Sequence, residues 1–256
     1  MADLDRNYAQ GTTVGRTETG AIDQGLRAYM LRVYNYMAIG VAITGLVAYL
    51  TYQAAGGDAI QIANGTIVGL TAFGTAIFAS AFKWVVIFAP LAMVFFLSAR
   101  INSMSLGSAQ IAFWVFAALM GLSLASIFLV YAHASIARVF FISAASFGAL
   151  SLYGYTTGRD LSAWGSFLFM GLIGIIIAML VNLFLASSAL QFAISVIGVL
   201  IFAGLTAYDT QQIKEMYYVG DDGTVAGRKA VMGALRLYLD FINLFMMLLQ
   251  LFGDRR

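Results

Sequence analysis

The sequence predicts an all-α integral membrane protein, built as a bundle of seven transmembrane helices. Of its 256 residues, 61% are hydrophobic and 10% are charged, whereas about 25% of residues in soluble domains are charged. A mean hydropathy of +0.88 implies several apolar spans of ~20 residues each rather than a single anchor. The apolar runs are unbroken, which favours helices over the ~10-residue alternating segments of a transmembrane β-barrel.

Composition also excludes several kinds of functional site. The chain has no cysteine and a single histidine, so it offers no disulfide, no thiolate metal site and no histidine cluster. Its 14 basic residues are scattered and form no basic stripe for nucleic acid. We therefore expect no nucleic-acid partner and no cofactor.

The chain begins with a polar segment and continues as one domain. Residues 1–25 lack the apolar core of a signal peptide, which predicts a flexible cytoplasmic tail. Residues 26–256 contain neither a fixed-period repeat nor a long linker, so we predict a single transmembrane domain. Apolar positions from Ile22 onward recur at helical spacing, which fits an interfacial lead-in or an ordinary helix start.

Seven apolar runs are long enough to cross a membrane. A further uncharged stretch, residues 59–82, is rich in glycine and threonine. Counting it as a span would invert every later loop, so we predict an early extension of the second span or a non-spanning lid. The seven runs are Met30–Tyr52, Trp84–Ala99, Ala109–Ala132, Ile136–Thr156, Ser162–Ala186, Ala189–Ile213 and Val231–Phe252.

Lysine and arginine are distributed unevenly between the two sides that seven spans define. The side of the amino terminus receives Arg6, Arg16, Arg27, Arg32, Arg100, Arg159, Lys214, Arg228 and Lys229, and the other side receives Lys83, Arg255 and Arg256. Short cytoplasmic loops carry the excess of basic residues. The amino terminus is therefore predicted to be cytoplasmic and the carboxyl terminus to lie outside.

Two acidic residues fall inside predicted spans. Asp209 lies in the sixth span, one to two turns before Lys214, and Asp240 lies ~13 Å into the seventh from the same side, at ~1.5 Å per residue. A charged group at the centre of a spanning helix costs ~2.5–3.5 kcal/mol and usually faces the bundle interior. Because the two spans are consecutive and antiparallel, we expect the carboxylates to face each other.

Polar residues accompany each acid at helical spacing. Thr206 and Gln212 lie three residues before and after Asp209, and Asn243 lies three residues after Asp240. Residues three apart share a helix face. The pattern predicts a polar stripe on each helix, facing the other stripe or a water-filled cavity.

Basic residues offer an alternative environment for the acids. Arg236 lies one turn before Asp240 and Lys214 lies five residues after Asp209, so each acid could pair within its own helix. Arg100, at the inner end of the second span, is a third candidate partner or an ordinary interfacial anchor.

Two neighbouring carboxylates offer two kinds of chemistry. In a low dielectric both cannot ionise cheaply, so the pair can share a proton near physiological pH. Fully ionised, Asp209 and Asp240 would be hard oxygen ligands suited to Ca²⁺, although two groups fall short of the six to eight oxygens that Ca²⁺ prefers. The pattern predicts a proton sensor and a weak Ca²⁺ site at one place.

Six long segments of the chain match a known family. They read QGLRAYMLRVYNYMAIG, KWVVIFAPLAMVFFLSARINSMS, GLSLASIFLVY, LSLYGYTTGRDLSAWGSFLFMGLIG, FAGLTAYDTQQIKEMY and ALRLYLDFINLF. On these segments, which extend over nearly the whole chain, the sequence resembles the bacterial inner-membrane branch of the Bax inhibitor-1 family.

The resemblance implies a bundle whose last helix is central and a pH-sensitive Ca²⁺ leak in the bacterial inner membrane. It implies that Asp209 and Asp240 form the gate, and that a bridging basic residue on the second helix falls on Arg100. It also implies a second role, binding and restraining a membrane-bound AAA protease. The expected partners are the lipid bilayer, Ca²⁺, protons and that protease.

Two other functions fit the same residues. Paired intramembrane aspartates also serve aspartyl proteases, whose dyad shares a proton. The seventh span reads YLDF and lacks their Gly-x-Gly-Asp signature, and the one proline, Pro90, leaves no Pro-Ala-Leu element downstream, so we expect no enzyme. An interaction protein that regulates membrane complexes without ion flux is the second alternative.

The sequence leaves open which protonation state would open a gate. Repulsion after proton loss would part the two helices. Protonation could instead release Arg100 from the pair and loosen the same contact.

The predicted orientation has a direct test. Protease added to intact spheroplasts should cleave a carboxy-terminal tag, because seven spans starting in the cytoplasm end outside. Full protection of the tag, with lysed spheroplasts as the cleavage control, would reverse the topology.

Overall fold

Over the residues that the structure describes, the protein is a bundle of seven helices, each long and apolar enough to cross a membrane. The computed structural model describes residues 2–63 and 66–255, and side chains are described for residues 24–61 and 67–255. The predicted tail, residues 1–25, lies largely outside the described side chains and stays a prediction. The helices are α1 (Ala2–Ala54), α2 (Phe82–Arg100), α3 (Leu106–Leu124), α4 (His133–Thr156), α5 (Ser162–Leu185), α6 (Ser188–Glu215) and α7 (Gly223–Phe252).

Helix α7 is the centre of the bundle, as the resemblance implies. In its most apolar stretch 72% of the residues are buried inside the protein, against 11–39% in the other six helices. It packs against α1, α3, α4 and α6, while α2 packs on α3 and α5 packs on α6 at the periphery. The peripheral helices expose large apolar side chains such as Phe184 and Phe95, as lipid contact requires.

The ambiguous segment 59–82 does not span. Strands β1 (Gln61–Ala63) and β2 (Thr66–Val68) form an antiparallel hairpin in which Gln61 lies opposite Val68. Two short helical pieces, Ala72–Gly74 and Thr75–Ala79, follow and lead into α2. Of the two predicted alternatives, the early extension of the second span is therefore wrong, and we keep the name lid for this non-spanning segment.

Glycine fixes the shape of this lid at Gly69. Its backbone adopts φ +81°, a left-handed conformation that other residues rarely adopt. A Cβ at this position would lie 2.1 Å from the carbonyl oxygen of Ala59. The lid can therefore fold back on itself only with glycine here.

Small residues let the spanning helices approach closely. A Cβ on Gly154 of α4 would lie 2.2 Å from the backbone oxygen of Ala207 on α6, and one on Gly121 of α3 would lie 2.6 Å from the backbone oxygen of Thr44 on α1. Close backbone approach of this kind drives helix association in lipid. These glycines set the short distance between α4 and α6 and between α3 and α1.

Gly154→Ala is expected to destabilise the protein, because α4 and α6 must move apart to admit the new methyl group. Overpacking of this kind costs about 1–3 kcal/mol. The measurement is the thermal unfolding midpoint of the purified protein in detergent.

Gly148→Ala, on the same helix, is the matched control. Its Cβ would meet no atom within 4 Å, and alanine is favoured over glycine in a helix interior by roughly 0.5–1 kcal/mol. The two midpoints should therefore move in opposite directions, and equal midpoints would contradict the close packing of α4 on α6.

Candidate functional site

The structure brings Asp209 and Asp240 together inside the bundle. Helices α6 and α7 pack against each other along their length, and the two carboxyl groups lie within hydrogen-bonding reach of one another. We call these two residues the aspartate pair. Asp240 is 5% exposed, because α7 is surrounded by other helices.

The aspartate pair is short of hydrogen-bond donors. Ionised carboxylates only accept hydrogen bonds, and Asp240 Oδ2 is buried without a partner among the described residues. A proton on either carboxyl group would supply a hydrogen bond between them. The geometry would therefore accommodate one proton shared between the two carboxyl groups.

The basic residue nearest the pair is Arg236. It precedes Asp240 by one turn of α7 and interacts electrostatically with both carboxyl groups. Its side chain is exposed and forms no ion pair within 4 Å with a described residue. Arg236 thus offsets part of the negative charge of the pair without being bound to either acid.

Two other predicted basic partners lie elsewhere. Arg100 is exposed at the end of α2, and the structure does not place it against either acid. Lys214 donates a hydrogen bond to the carbonyl oxygen of Tyr155 at 3.0 Å and lies 5.4 Å from the centre of its ring. Lys214 therefore ties α6 to α4.

The predicted polar stripes satisfy their hydrogen bonds locally. Thr206 Oγ1 donates to the carbonyl oxygen of Phe202 at 2.7 Å. Asn243 Nδ2 donates to the carbonyl oxygen of Leu239 at 2.8 Å. Gln212 Nε2 donates to Glu215 at 3.1 Å. These three side chains therefore bond within their own helices.

A chain of hydroxyl groups reaches α6 beside the pair. Tyr34 of α1 bonds Ser151 of α4 at 2.7 Å, and Ser151 bonds Thr210 of α6 at 2.9 Å. Thr210 donates in turn to the carbonyl oxygen of Thr206 at 2.7 Å. Sequence reasoning did not single out these hydroxyls, because isolated serine, threonine and tyrosine are common in spans and carry no spacing signal.

Gln211 anchors the same end of α6. Its side chain accepts from the backbone of Leu161 at 2.8 Å and donates to the carbonyl oxygen of Arg159 at 2.8 Å. In that α4–α5 loop, hydrogen bonds from Ser162 hold the pKa of the exposed Asp160 carboxyl below its ordinary value. The turn of α6 that carries Asp209 is thereby fixed to the loop.

The α6–α7 loop, residues 216–222, covers the end of the bundle nearest the pair. Lys229 Nζ and Asp221 Oδ2 form an ion pair of 2.6 Å, and the Lys229 ammonium also donates to the carbonyl oxygen of Met216 at 3.1 Å. The Tyr217 ring lies 5.7 Å from the ring of Tyr29 on α1. The loop is thus held against both α7 and α1.

Comparison with known proteins gives the family. The family model described as "Inhibitor of apoptosis-promoting Bax1" matches residues 26–256. The chain belongs to the Bax inhibitor-1 family. Among its relatives in this family, the Escherichia coli K12 inner membrane protein YbhL is 47% identical over 235 residues, covering 91% of this chain and 94% of that protein.

Two further relatives extend over the whole domain. A Rickettsia prowazekii protein is 46% identical over 245 residues, which is 96% of each chain. A Caulobacter vibrioides protein is 43% identical over 259 residues, with both chains fully covered. The resemblance inferred from the sequence is therefore confirmed over nearly the full length.

Asp240→Asn should make stability less dependent on pH. The wild-type thermal midpoint is expected to decrease as the pH rises from 5 to 8. At low pH the pair shares a proton, whereas at high pH two ionised carboxylates in contact repel each other. An asparagine amide can donate a hydrogen bond to Asp209 at either pH. Thermal melts in detergent would measure the two slopes.

The control for this experiment is Asp254→Asn. The Asp254 side chain is 69% exposed and lies 3.7 Å from Arg138, beyond the carboxyl end of α7 and far from the pair. This variant should keep the wild-type slope. If the thermal midpoint of Asp240→Asn decreases with pH as steeply as that of the wild type, the electrostatic account of the pair is refuted.

Proposed function

We propose that the protein is a pH-sensitive cation leak of the bacterial inner membrane, with Ca²⁺ as its ion and the aspartate pair as its gate. The observation that carries this proposal is the contact of two carboxyl groups on neighbouring helices of an apolar bundle. Intramembrane acids of this kind mark ion and proton pathways. The name of the E. coli relative supports the location, and the basic loops support a cytoplasmic amino terminus.

The gate closes when the two carboxyl groups share a proton and opens when both are ionised. A shared proton makes a hydrogen bond that draws α6 and α7 together. Two ionised carboxylates repel, and each gains hydration when the helices part. Because Arg236, rather than Arg100, is the cation beside the pair, release of Arg100 is not needed for opening, and flux should rise with pH.

Ca²⁺ fits the opened pair as a weakly held ion. Ionised carboxylates are hard oxygen ligands, but Ca²⁺ prefers six to eight oxygens. The described residues contain no group of three or more histidine, cysteine, aspartate or glutamate side chains that could hold a metal. Water and carbonyl oxygens must complete the shell, so binding is weak, and an ion that conducts must leave as readily as it enters.

The proposal assigns no enzymatic reaction to the pair. An aspartyl protease must admit both a peptide and a water molecule to its dyad. Asp240 is 5% exposed, and α7 packs against four other helices. This burial favours a gate over a hydrolytic site.

Ca²⁺ influx into proteoliposomes, followed with an internal dye from pH 5 to pH 8, tests the gate. Wild-type influx should rise with pH. Asp209→Asn and Asp240→Asn should give low influx without pH dependence, because a single carboxylate bonded to an amide has no like charge to repel it. Asp254→Asn, on an exposed carboxylate, should follow the wild type.

Curves that do not differ between these proteins would remove the gate assignment. Absence of wild-type influx, together with binding to a membrane-bound AAA protease that survives both neutralisations, would favour the regulatory role instead.

A further inference from the structure

We propose that the crevice between α1 and α4 binds one anionic phospholipid, with its acyl chains along the crevice walls and its phosphate on Arg27. The crevice encloses about 720 Å³, within the ~300–1,000 Å³ typical of pockets that hold a small ligand. It opens on the outside of the bundle and neither aspartate lines it, so the inference stands whether or not the protein conducts ions.

The crevice exists because two helices share a neighbour without packing together. Both α1 and α4 pack against α7, but they make few contacts with each other. Met30 and Met37 of α1 form one wall, and Phe147 of α4 forms the other. These three side chains are buried and apolar, which suits hydrocarbon.

The hydroxyl groups on the floor of the crevice are already hydrogen-bonded within the protein. Tyr34 and Ser151 lie there, and their hydroxyl groups bond each other and Thr210. Buried polar groups that are already paired cost nothing further when hydrocarbon covers them. The floor is therefore compatible with an acyl chain.

Positive charge is concentrated at one end of the crevice. Arg27 lines it in the first turn of the membrane-spanning part of α1, Gln24–Ala54. Tyr155 also lines it and carries the Lys214 ammonium above its ring. The lining includes no acidic residue. Basic residues at headgroup depth attract anionic lipids.

The rim of the crevice faces the membrane. Leu31 and Leu152 stand at this rim and are 53% and 62% exposed, as side chains in contact with lipid are. A soluble anion would use the arginine but not the apolar walls. A phospholipid with a negative headgroup uses both.

Native mass spectrometry of the delipidated full-length protein tests this site. Phosphatidylglycerol and phosphatidylcholine with the same acyl chains are titrated separately. The wild type should bind the first phosphatidylglycerol molecule more tightly than any later one, and more tightly than it binds phosphatidylcholine. Equal affinity for the two lipids, or phosphatidylglycerol displaced by inorganic phosphate alone, would overturn the proposal.

A substitution that fills the crevice isolates the acyl-chain part. Gly148 lines the crevice, and a Cβ there would meet no atom within 4 Å, so the side chain of Gly148→Leu begins in open space and occupies part of the crevice. It should abolish the first binding step for both lipids. Gly174→Leu is the matched control on α5, where a Cβ also meets nothing, and it should bind as the wild type does.

A second pair of variants isolates the headgroup part. Arg27→Gln should lower the preference for phosphatidylglycerol roughly fivefold while binding of phosphatidylcholine is unchanged. Arg32→Gln, an exposed arginine of α1 that does not line the crevice, should have no effect. If Arg27→Gln and Arg32→Gln show the same preference for phosphatidylglycerol, the site is refuted. A mass that shows a second copy of the chain in place of lipid would also refute it.

Discussion

The contact between two carboxyl groups inside an apolar bundle is the constraint on which the rest of the structure depends. Asp240 is 5% exposed, because α7 packs against four other helices. Asp209 is brought to it by α6, the partner of α7 along its whole length. Neither acid forms an ion pair with a residue whose side chain the structure describes, so under the proposed gate the pair shares a proton or separates into water. Under the proposed gate, this is what would make the pair respond to pH.

The surrounding structure holds α6 and α7 together at both ends and leaves the pair between them. At one end Gln211 forms hydrogen bonds with the α4–α5 loop, and the ion pair between Lys229 and Asp221 fixes the α6–α7 loop to the start of α7. At the other end Ser195 of α6 bonds Gln250 of α7 at 2.9 Å. Opening by repulsion would therefore be a local widening at the level of the pair and would not require the helices to separate completely.

The sequence was informative where depth and periodicity decide the outcome. Apolar length located all seven spans, although α7 begins at Gly223, eight residues before the predicted start, because its polar first turns continue the helix beyond the apolar run. The depth of two acids on consecutive spans was enough to predict their meeting. Side-chain partners were not predictable: spacing favoured Gln212, whereas Gln211 makes the long-range clasp, and Arg100 lies away from the pair. Such contacts depend on how helices are rotated in the bundle, which no single-helix pattern contains.

The position of Arg236 changes the net charge of the group formed by the aspartate pair and its nearest cation. With both acids ionised, the pair and this arginine carry a net charge of −1, and with one shared proton they carry none. A low-dielectric interior favours the neutral arrangement, in which the arginine offsets the one remaining carboxylate through space. Because Arg236 is exposed and unbound, it lowers the cost of the negative charge without fixing either acid in place. An arginine in direct contact would hold one carboxylate permanently ionised and leave the other to titrate alone. Under the proposed gate, a single proton would instead move the whole group between neutral and charged, and the helices on either side would respond to that one change.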